Sequence, residues 1–284
     1  MIGLEAGGLD AVLLGAMTLL VGAAIGSFLN VCIARWPADL SVVAPRSRCP
    51  KCERPVRWHE NIPIASWLLL GGRCRGCRES ISAQYIVVEA LVAAGWLAAL
   101  LVWGPTFMAL RVAVLGTVLA GIAITDARHY LIPDGFTVFG LLWVLATAMV
   151  ALVLGEPSTL FAAPADALLG ACAGAGLVSI VGWLGEVALK KEAMGFGDVT
   201  LMAVVGAAVG PWRAMLTVFV GAAIAAVCFL AIVYPITWWR CRRRGVAFEP
   251  PLVPFGVFLA PAAFLTLLLG NDLIAWYLQF LSPA

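Results

Sequence analysis

Residues 83–103 read AQYIVVEALVAAGWLAALLVW, and Glu89 is the one charged side chain among them. A run of about 20 apolar residues is what an α-helix needs to cross the hydrocarbon core of a bilayer. The period-two alternation of an outer-membrane barrel, in segments of roughly ten residues, is not the pattern here. Further continuous apolar runs lie at 11–34, 107–125, 136–154, 165–189, 199–210, 212–238 and 253–280. The chain has 284 residues, 63% of them hydrophobic and 12% charged, with a mean hydropathy of +1.00. A soluble domain carries about 25% charged residues, so this chain has too few to cover a water-facing surface. The sequence predicts an all-α polytopic membrane protein of about eight transmembrane helices. Seven is the alternative, because 199–210 is short and closes at Gly210-Pro211. Only Glu5 and Asp10 carry charge around the start of the first run, so no cleavable signal peptide is expected.

Basic residues set the orientation. The hydrophilic stretch 36–82 carries Arg46, Arg48, Lys51, Arg54, Arg57, Arg73, Arg75 and Arg78. If it is cytoplasmic, alternating spans also place Arg128, Lys190-Lys191 and Arg240, Arg242, Arg243 and Arg244 inside. Glu5, Asp10, Glu156, Asp166 and Asp272 then fall on the other side, with Arg213 as the basic exception. The N-terminus is expected outside. Three parts follow: a first transmembrane helix (1–35), a cytoplasmic four-cysteine domain (36–82) and a transmembrane domain (83–284).

Cys49, Cys52, Cys74 and Cys77 form C-x2-C-x21-C-x2-C within the loop. Two-residue spacing lets both thiolates of a knuckle turn to one ion, although the gap of 21 slightly exceeds the usual range for zinc. The other reading is a pair of disulfides, which a reducing cytosol disfavours. Four sulfurs would fill a tetrahedral sphere and leave no place for water, so zinc here would be structural. Metal binding would then supply much of the loop's folding energy. His59 is a further candidate ligand, with a satisfied surface histidine the plainer reading. Cys32, Cys172, Cys228 and Cys241 read as inert thiols in or beside spans.

A carboxylate in or against a span is costly and therefore a candidate for function. Glu186 lies one turn before Lys190, and a snorkelling pair accounts for it. Asp134 follows Pro133 and reads as a helix start, where capping is as good an explanation as chemistry. Glu89 is within reach of a loop Arg or Lys. Asp126 and Asp198 are harder to account for. Asp126 ends a span, where the negative pole of the helix dipole is a poor place for an acid; a salt bridge to Arg128 is the simple alternative. Asp198 begins one, where free amides favour a negative charge. The topology puts both on the cytoplasmic face, as an aspartyl dyad requires. The contrast in dipoles suggests that Asp198 is the base and Asp126 holds the proton. Gly195 and Gly197 would let a backbone approach the carboxylate closely, or simply form a flexible turn.

Five blocks in order resemble the type IV prepilin peptidases, also called prepilin leader peptidase/N-methyltransferases. They are GSFLNVCIARWP (26–37), SRCPKCERPVRWHENIPIASWLLLGGRCRGC (47–77), TDARHYLIPDGFT (125–137), KKEAMGFGDV (190–199) and PFG (254–256). The resemblance implies a GxGD-type aspartic endopeptidase with Asp126 and Asp198 catalytic and zinc on the four cysteines. It implies prepilin and type II secretion pseudopilin substrates, cut after a glycine that ends a short basic leader, at the cytoplasmic face of the inner membrane. It also implies S-adenosylmethionine-dependent methylation of the new N-terminal residue, commonly phenylalanine; no residue of a donor site is legible. Ala193, often Gly in the family, and Gln84-Tyr85-Ile86, often Arg-Tyr-Pro, depart from the pattern without touching the aspartates or cysteines. The lipid bilayer is the other expected partner, and nucleic acid is not expected. A proton-coupled transporter with intramembrane aspartates would place its acids near the midplane, and a zinc-dependent membrane scaffold would not need them.

Overall fold

The computed structural model describes residues 8–156, 159–190, 194–245, 247 and 253–281. Readings that fall on Glu5, Lys191 and Ala193 lie outside the described residues. The chain divides into two compact units, Met1–Gly121 and Ile122–Ala284. Among the described residues both are helical, with isolated bridges in the cysteine loop in place of strands.

In the first unit, α1 (Gly8–Arg35) packs on α3 (Gln84–Trp103), and the cysteine loop with its short α2 (Ala65–Leu69) connects them. The two long helices meet through small residues: a Cβ on Gly22 would lie 2.8 Å from Ala93 Cα. This is how membrane helices gain packing where water supplies no driving force. Toward the loop, Asn30 Nδ2 donates to the Tyr85 carbonyl at 3.0 Å. Glu89 is buried and, among the described residues, takes neither Arg nor Lys as partner. Its Oε2 accepts the Ile64 backbone amide at 2.7 Å, so the acid of α3 ties down the loop.

The second unit holds the end of α4 (Phe107–His129), then α5 (Asp134–Val153), α6 (Pro164–Leu189), α7 (Phe196–Val209), α8 (Pro211–Cys228), α9 (Tyr234–Arg244) and α10 (Gly256–Leu281). Asp134 opens α5 as expected, yet its side chain makes no capping bond. A five-residue π-turn, Phe229–Val233, joins α8 to α9 into one continuous helix. Pro235 follows directly; it has no N–H to offer the preceding turn, which widens. α7 is the central element, enclosed by α5, α6, α8 and α10 and buried along most of its length. The backbones of α6 and α7 touch at Gly170 and Gly206, where a Cβ on either would fall on the other's carbonyl. Further along, Gly182 faces Met194, so residues 183–189 of α6 run on past the start of α7.

Among the described residues, seven helices are long and apolar enough to cross a membrane. The remaining apolar run is α7, whose 14 residues span about 21 Å at 1.5 Å per residue, short of the ~30 Å core. Large apolar side chains such as Leu20, Val153, Leu230 and Phe280 point outward, which suits lipid and not water. Arg213, the basic exception to the charge pattern, is buried: Nε donates to the Val209 carbonyl and a terminal nitrogen to that of Leu160, both at 2.7 Å. It caps the carbonyl end of α7, where a cation is favoured, and so is not a free surface charge.

Candidate active site and metal centre

Asp198 lies in the first turn of α7 and is half-buried. Gly195 caps the helix, and its backbone lies against the Asp198 carboxylate. An acid as the third helical residue stands where the free amides of a helix start favour a negative charge. Asp126 lies in the last turn of α4 and is 5% exposed. Its Oδ2 accepts the Val257 amide at 3.1 Å, and the Gly256 amide also faces it. These are the first amides of α10, so Asp126 caps a helix far away in sequence. Arg128 makes no ion pair with it among the described residues.

That contact revises the electrostatic argument. Asp126 does end α4, but it also meets the N-terminus of α10, where unpaired amides favour an anion. Each acid therefore has a helix N-terminus of its own, and the dipole contrast that assigned the proton to Asp126 has no basis.

Ile132 brings the two helix starts together. A Cβ on Gly197 would lie 2.9 Å from Ile132 Cβ, and one on Gly256 would lie 2.9 Å from Ile132 Cδ1 and 2.8 Å from Asp126 Oδ2. The loop before α5, the first turn of α7 and the first turn of α10 thus close on one buried side chain. Gly197 admits a neighbouring side chain, whereas Gly195 has only Asp198 near it, at 3.8 Å. The two carboxylates thus belong to segments that meet on Ile132. A pair of this kind can share a proton, take one from water and give one to a carbonyl oxygen.

The four cysteine sulfurs lie within 4.8 Å of one another, and Cys49 Sγ is 3.8 Å from Cys77 Sγ. With Zn–S bonds of about 2.3 Å, the edge of a tetrahedron is about 3.8 Å, so the donor set fits zinc. The two knuckles have the same backbone. Cys49 N–H donates to the Arg54 carbonyl, Glu53 N–H to that of Cys49, and Val56 N–H to that of Ser47. Cys74 with Glu79, Arg78 with Cys74 and Ile81 with Gly72 repeat these bonds. Glu53 and Arg78, each ending a knuckle, share a left-handed backbone at φ 55° and 60°. The amides of Cys52 and Lys51 hold the Cys49 thiol down at about 6. The Glu79 amide acts in the same direction on Cys77, but burial and the sulfurs of Cys52, Cys49 and Cys74 push it up to about 11. Sulfurs this close oppose one another as thiolates, and a bound cation relieves that opposition. His59 is outside the cluster; its carbonyl accepts the Ser66 hydroxyl and its ring meets Trp58 edge-on.

Family models match the chain in two blocks. Residues 20–103 fit the bacterial peptidase A24 N-terminal domain, and residues 113–230 fit the type IV leader peptidase family. A prepilin leader peptidase/N-methyltransferase of Myxococcus xanthus is 39% identical over 212 residues, 75% of this chain and 61% of that protein. Proteins of the same description from Stutzerimonas stutzeri and Pseudomonas aeruginosa are each 34% identical, over 288 and 289 residues, and 93% of each is covered. They cover 92% and 93% of this chain. No solved structure matches. With identity sustained from the first span to the last, the chain belongs to the type IV leader peptidase family.

Proposed function

We propose that this membrane protein is an aspartic endopeptidase acting on type IV prepilins and type II secretion pseudopilins. It removes the basic leader after a glycine, at the cytoplasmic face of the inner membrane. It then methylates the new N-terminal residue. The observation that carries the proteolytic part is the meeting of the Asp126, Asp198 and Gly256 segments on Ile132, which puts two acids at one end of the second unit. One carboxylate takes a proton from water as the water oxygen attacks the carbonyl carbon of the glycine. The other gives a proton to the carbonyl oxygen. Collapse of the tetrahedral species breaks the C–N bond as the proton taken from water passes to the leaving nitrogen and the hydroxyl proton returns to the second acid, leaving a carboxyl group on the leader and an amine on the mature chain. Which acid begins protonated is a property of the pair.

The same reading gives the parts their roles: an anchoring first helix (1–35), a zinc-stabilised cytoplasmic domain (36–82) and a proteolytic transmembrane domain (83–284). Apart from Arg111 and Arg213, arginines and lysines fall on the side that alternating spans assign to the loop, which supports the sidedness. A positively charged leader would stay on that side by the same rule. Cys49, Cys52, Cys74 and Cys77 would hold zinc, which supplies folding energy to the loop. S-adenosylmethionine supplies an electrophilic methyl group to the freed amine. The relatives' description as N-methyltransferases supports that step.

Incubating the purified protein with a prepilin in detergent tests the reading. Loss of the leader at the glycine is expected, with label from methyl-labelled S-adenosylmethionine appearing on the mature chain. An uncut prepilin would overturn the peptidase assignment; cutting without label would overturn the methylation alone.

The metal centre has its own test. Purified protein is expected to carry about one zinc per chain, and Cys52→Ser or Cys77→Ser to lose it. A strong chelator should then open residues 36–82 to trypsin while the spans keep their helical signal. A metal-free protein whose loop still resists trypsin would rule out a structural zinc.

A further inference from the structure

A cavity of about 620 Å³ lies within the first unit, between the loop-facing ends of α1 and α3 and the four-cysteine loop. Sites for drug-sized ligands run to about 300–1,000 Å³, so it has room for a nucleoside-sized molecule. Its walls include Asn30, Glu60, Trp67, Tyr85 and Glu89. None of these has a place in the proteolytic chemistry.

Asn30 is the sharpest indication that the cavity is a site. Its side chain is 3% exposed, Nδ2 is committed to the Tyr85 carbonyl, and Oδ1 has no hydrogen-bond partner. Turning the amide over would set oxygen against the carbonyl and leave the NH2 stranded, so the carbonyl fixes the orientation. A buried acceptor with nothing to accept is expensive to keep. Glu89 is 7% exposed, with one carboxylate oxygen on the Ile64 amide. Ile64 is itself strained, at φ 62° and ψ −54°, a region that a β-branched residue rarely enters. Such backbone persists where its surroundings hold it, and it gathers at ligand clamps. Here the holder is an acid of the adjoining span.

We propose that this cavity binds the methyl donor, S-adenosylmethionine, with Asn30 Oδ1 and the Glu89 carboxylate receiving its cationic and N–H-bearing parts. The inference rests on the methyltransferase reading and adds a place and residues to it. Acceptors at the span end of the cavity call for a ligand that is cationic or rich in donors. Two of the lining side chains, Trp67 and Tyr85, are aromatic, and an aromatic wall suits a sulfonium or an adenine ring. The α-ammonium of a cut pilin shares the cationic character, but a terminal amine alone leaves most of the volume unfilled. The donor is therefore the better occupant, and a binding experiment separates the two.

Equilibrium dialysis of labelled S-adenosylmethionine against the zinc-loaded, full-length protein in detergent measures binding without turnover. Saturable binding is expected. Asn30→Leu removes the acceptor at similar volume, and Glu89→Gln removes the charge while keeping an oxygen for the Ile64 amide. Each should weaken binding tenfold or more with zinc content and helicity unchanged. Asp126→Asn should bind the donor as the wild type does. Ultraviolet cross-linking of the bound donor should label a peptide within residues 27–35 or 47–89, which line the cavity, a readout that does not depend on any variant folding. Wild-type binding by both variants, a cross-link outside those residues, or displacement of the donor site's occupant by a phenylalanine-led peptide in place of S-adenosylhomocysteine overturns the proposal. If the wild type transfers methyl groups yet fails these tests, the site is wrong and the methyltransferase reading stands. If it neither binds nor transfers, both fall.

Discussion

Asparagine at Asp126 or at Asp198 is expected to lower the rate of leader cleavage by about 10²–10⁴-fold, the usual contribution of a positioned acid or base. The substitution is a clean one at both sites. Asn keeps an oxygen toward the helix start at Asp198, and another for the Val257 amide that Asp126 accepts. Helix starts therefore stay capped, and circular dichroism and thermal unfolding should change little. On the proposed mechanism the acids act as a unit, so the double variant should be hardly worse than either single one. If both single variants cut at the wild-type rate, the dyad is not the catalytic centre.

The second large effect is at Gly256. Alanine there would put a methyl group 2.8 Å from Asp126 Oδ2, 3.2 Å from its Cγ and 2.9 Å from Ile132 Cδ1. One of these must move, and the carboxylate is held by amides of the same turn. Gly256 is the first residue of α10, and alanine is favoured over glycine within a helix by about 1 kcal/mol. Propensity alone thus predicts a protein no less stable, while the displaced carboxylate predicts a loss of about 10²-fold in cleavage, the scale of a misplacement near 1 Å. Gly176, in α6 with nothing within 4 Å of a Cβ, is the matching control: Gly176→Ala should cut normally. A Gly256→Ala protein with full activity would show that the carboxylate has slack, and that its contact with α10 does not position it.

The long apolar runs were legible because each residue of a lipid-facing helix must be apolar, so run and helix nearly coincide: 83–103 became Gln84–Trp103, and 165–189 became Pro164–Leu189. The C-x2-C spacing was legible for a similar local reason, since both thiols of a knuckle belong to one tight turn. What stayed hidden was set across the chain. Asp126 and Val257 are 131 residues apart, and nothing near Asp126 announces that another helix will begin against it. Ile132 looks like any core residue until Gly197 and Gly256 are placed on either side. Arg213 was visible as an exception, but its cause is a pair of carbonyls, one of them 53 residues earlier. The doubled knuckle was there to be found: Arg48-Cys49 and Arg73-Cys74 open two segments of like pattern, each reaching a β-branched residue, Val56 and Ile81, at the same offset.

The shortness of α7 bears on how a hydrolase works inside oil. Residues 183–189 of α6, past the point where Gly182 meets Met194, continue for about 10 Å. Trp183, Leu184, Val187 and Leu189 on that stretch are apolar and outward-facing, so lipid extends beyond the level of Asp198. Asp198 thus sits well inside the end of the longer helix beside it. On the proposed function, water for the cut would come from that end, along the same path as the leader, while the bilayer wall stays sealed. A scissile bond at the edge of a pilin's own apolar helix would then meet water only here, which is how such an enzyme can cut a chain without pulling it out of the membrane.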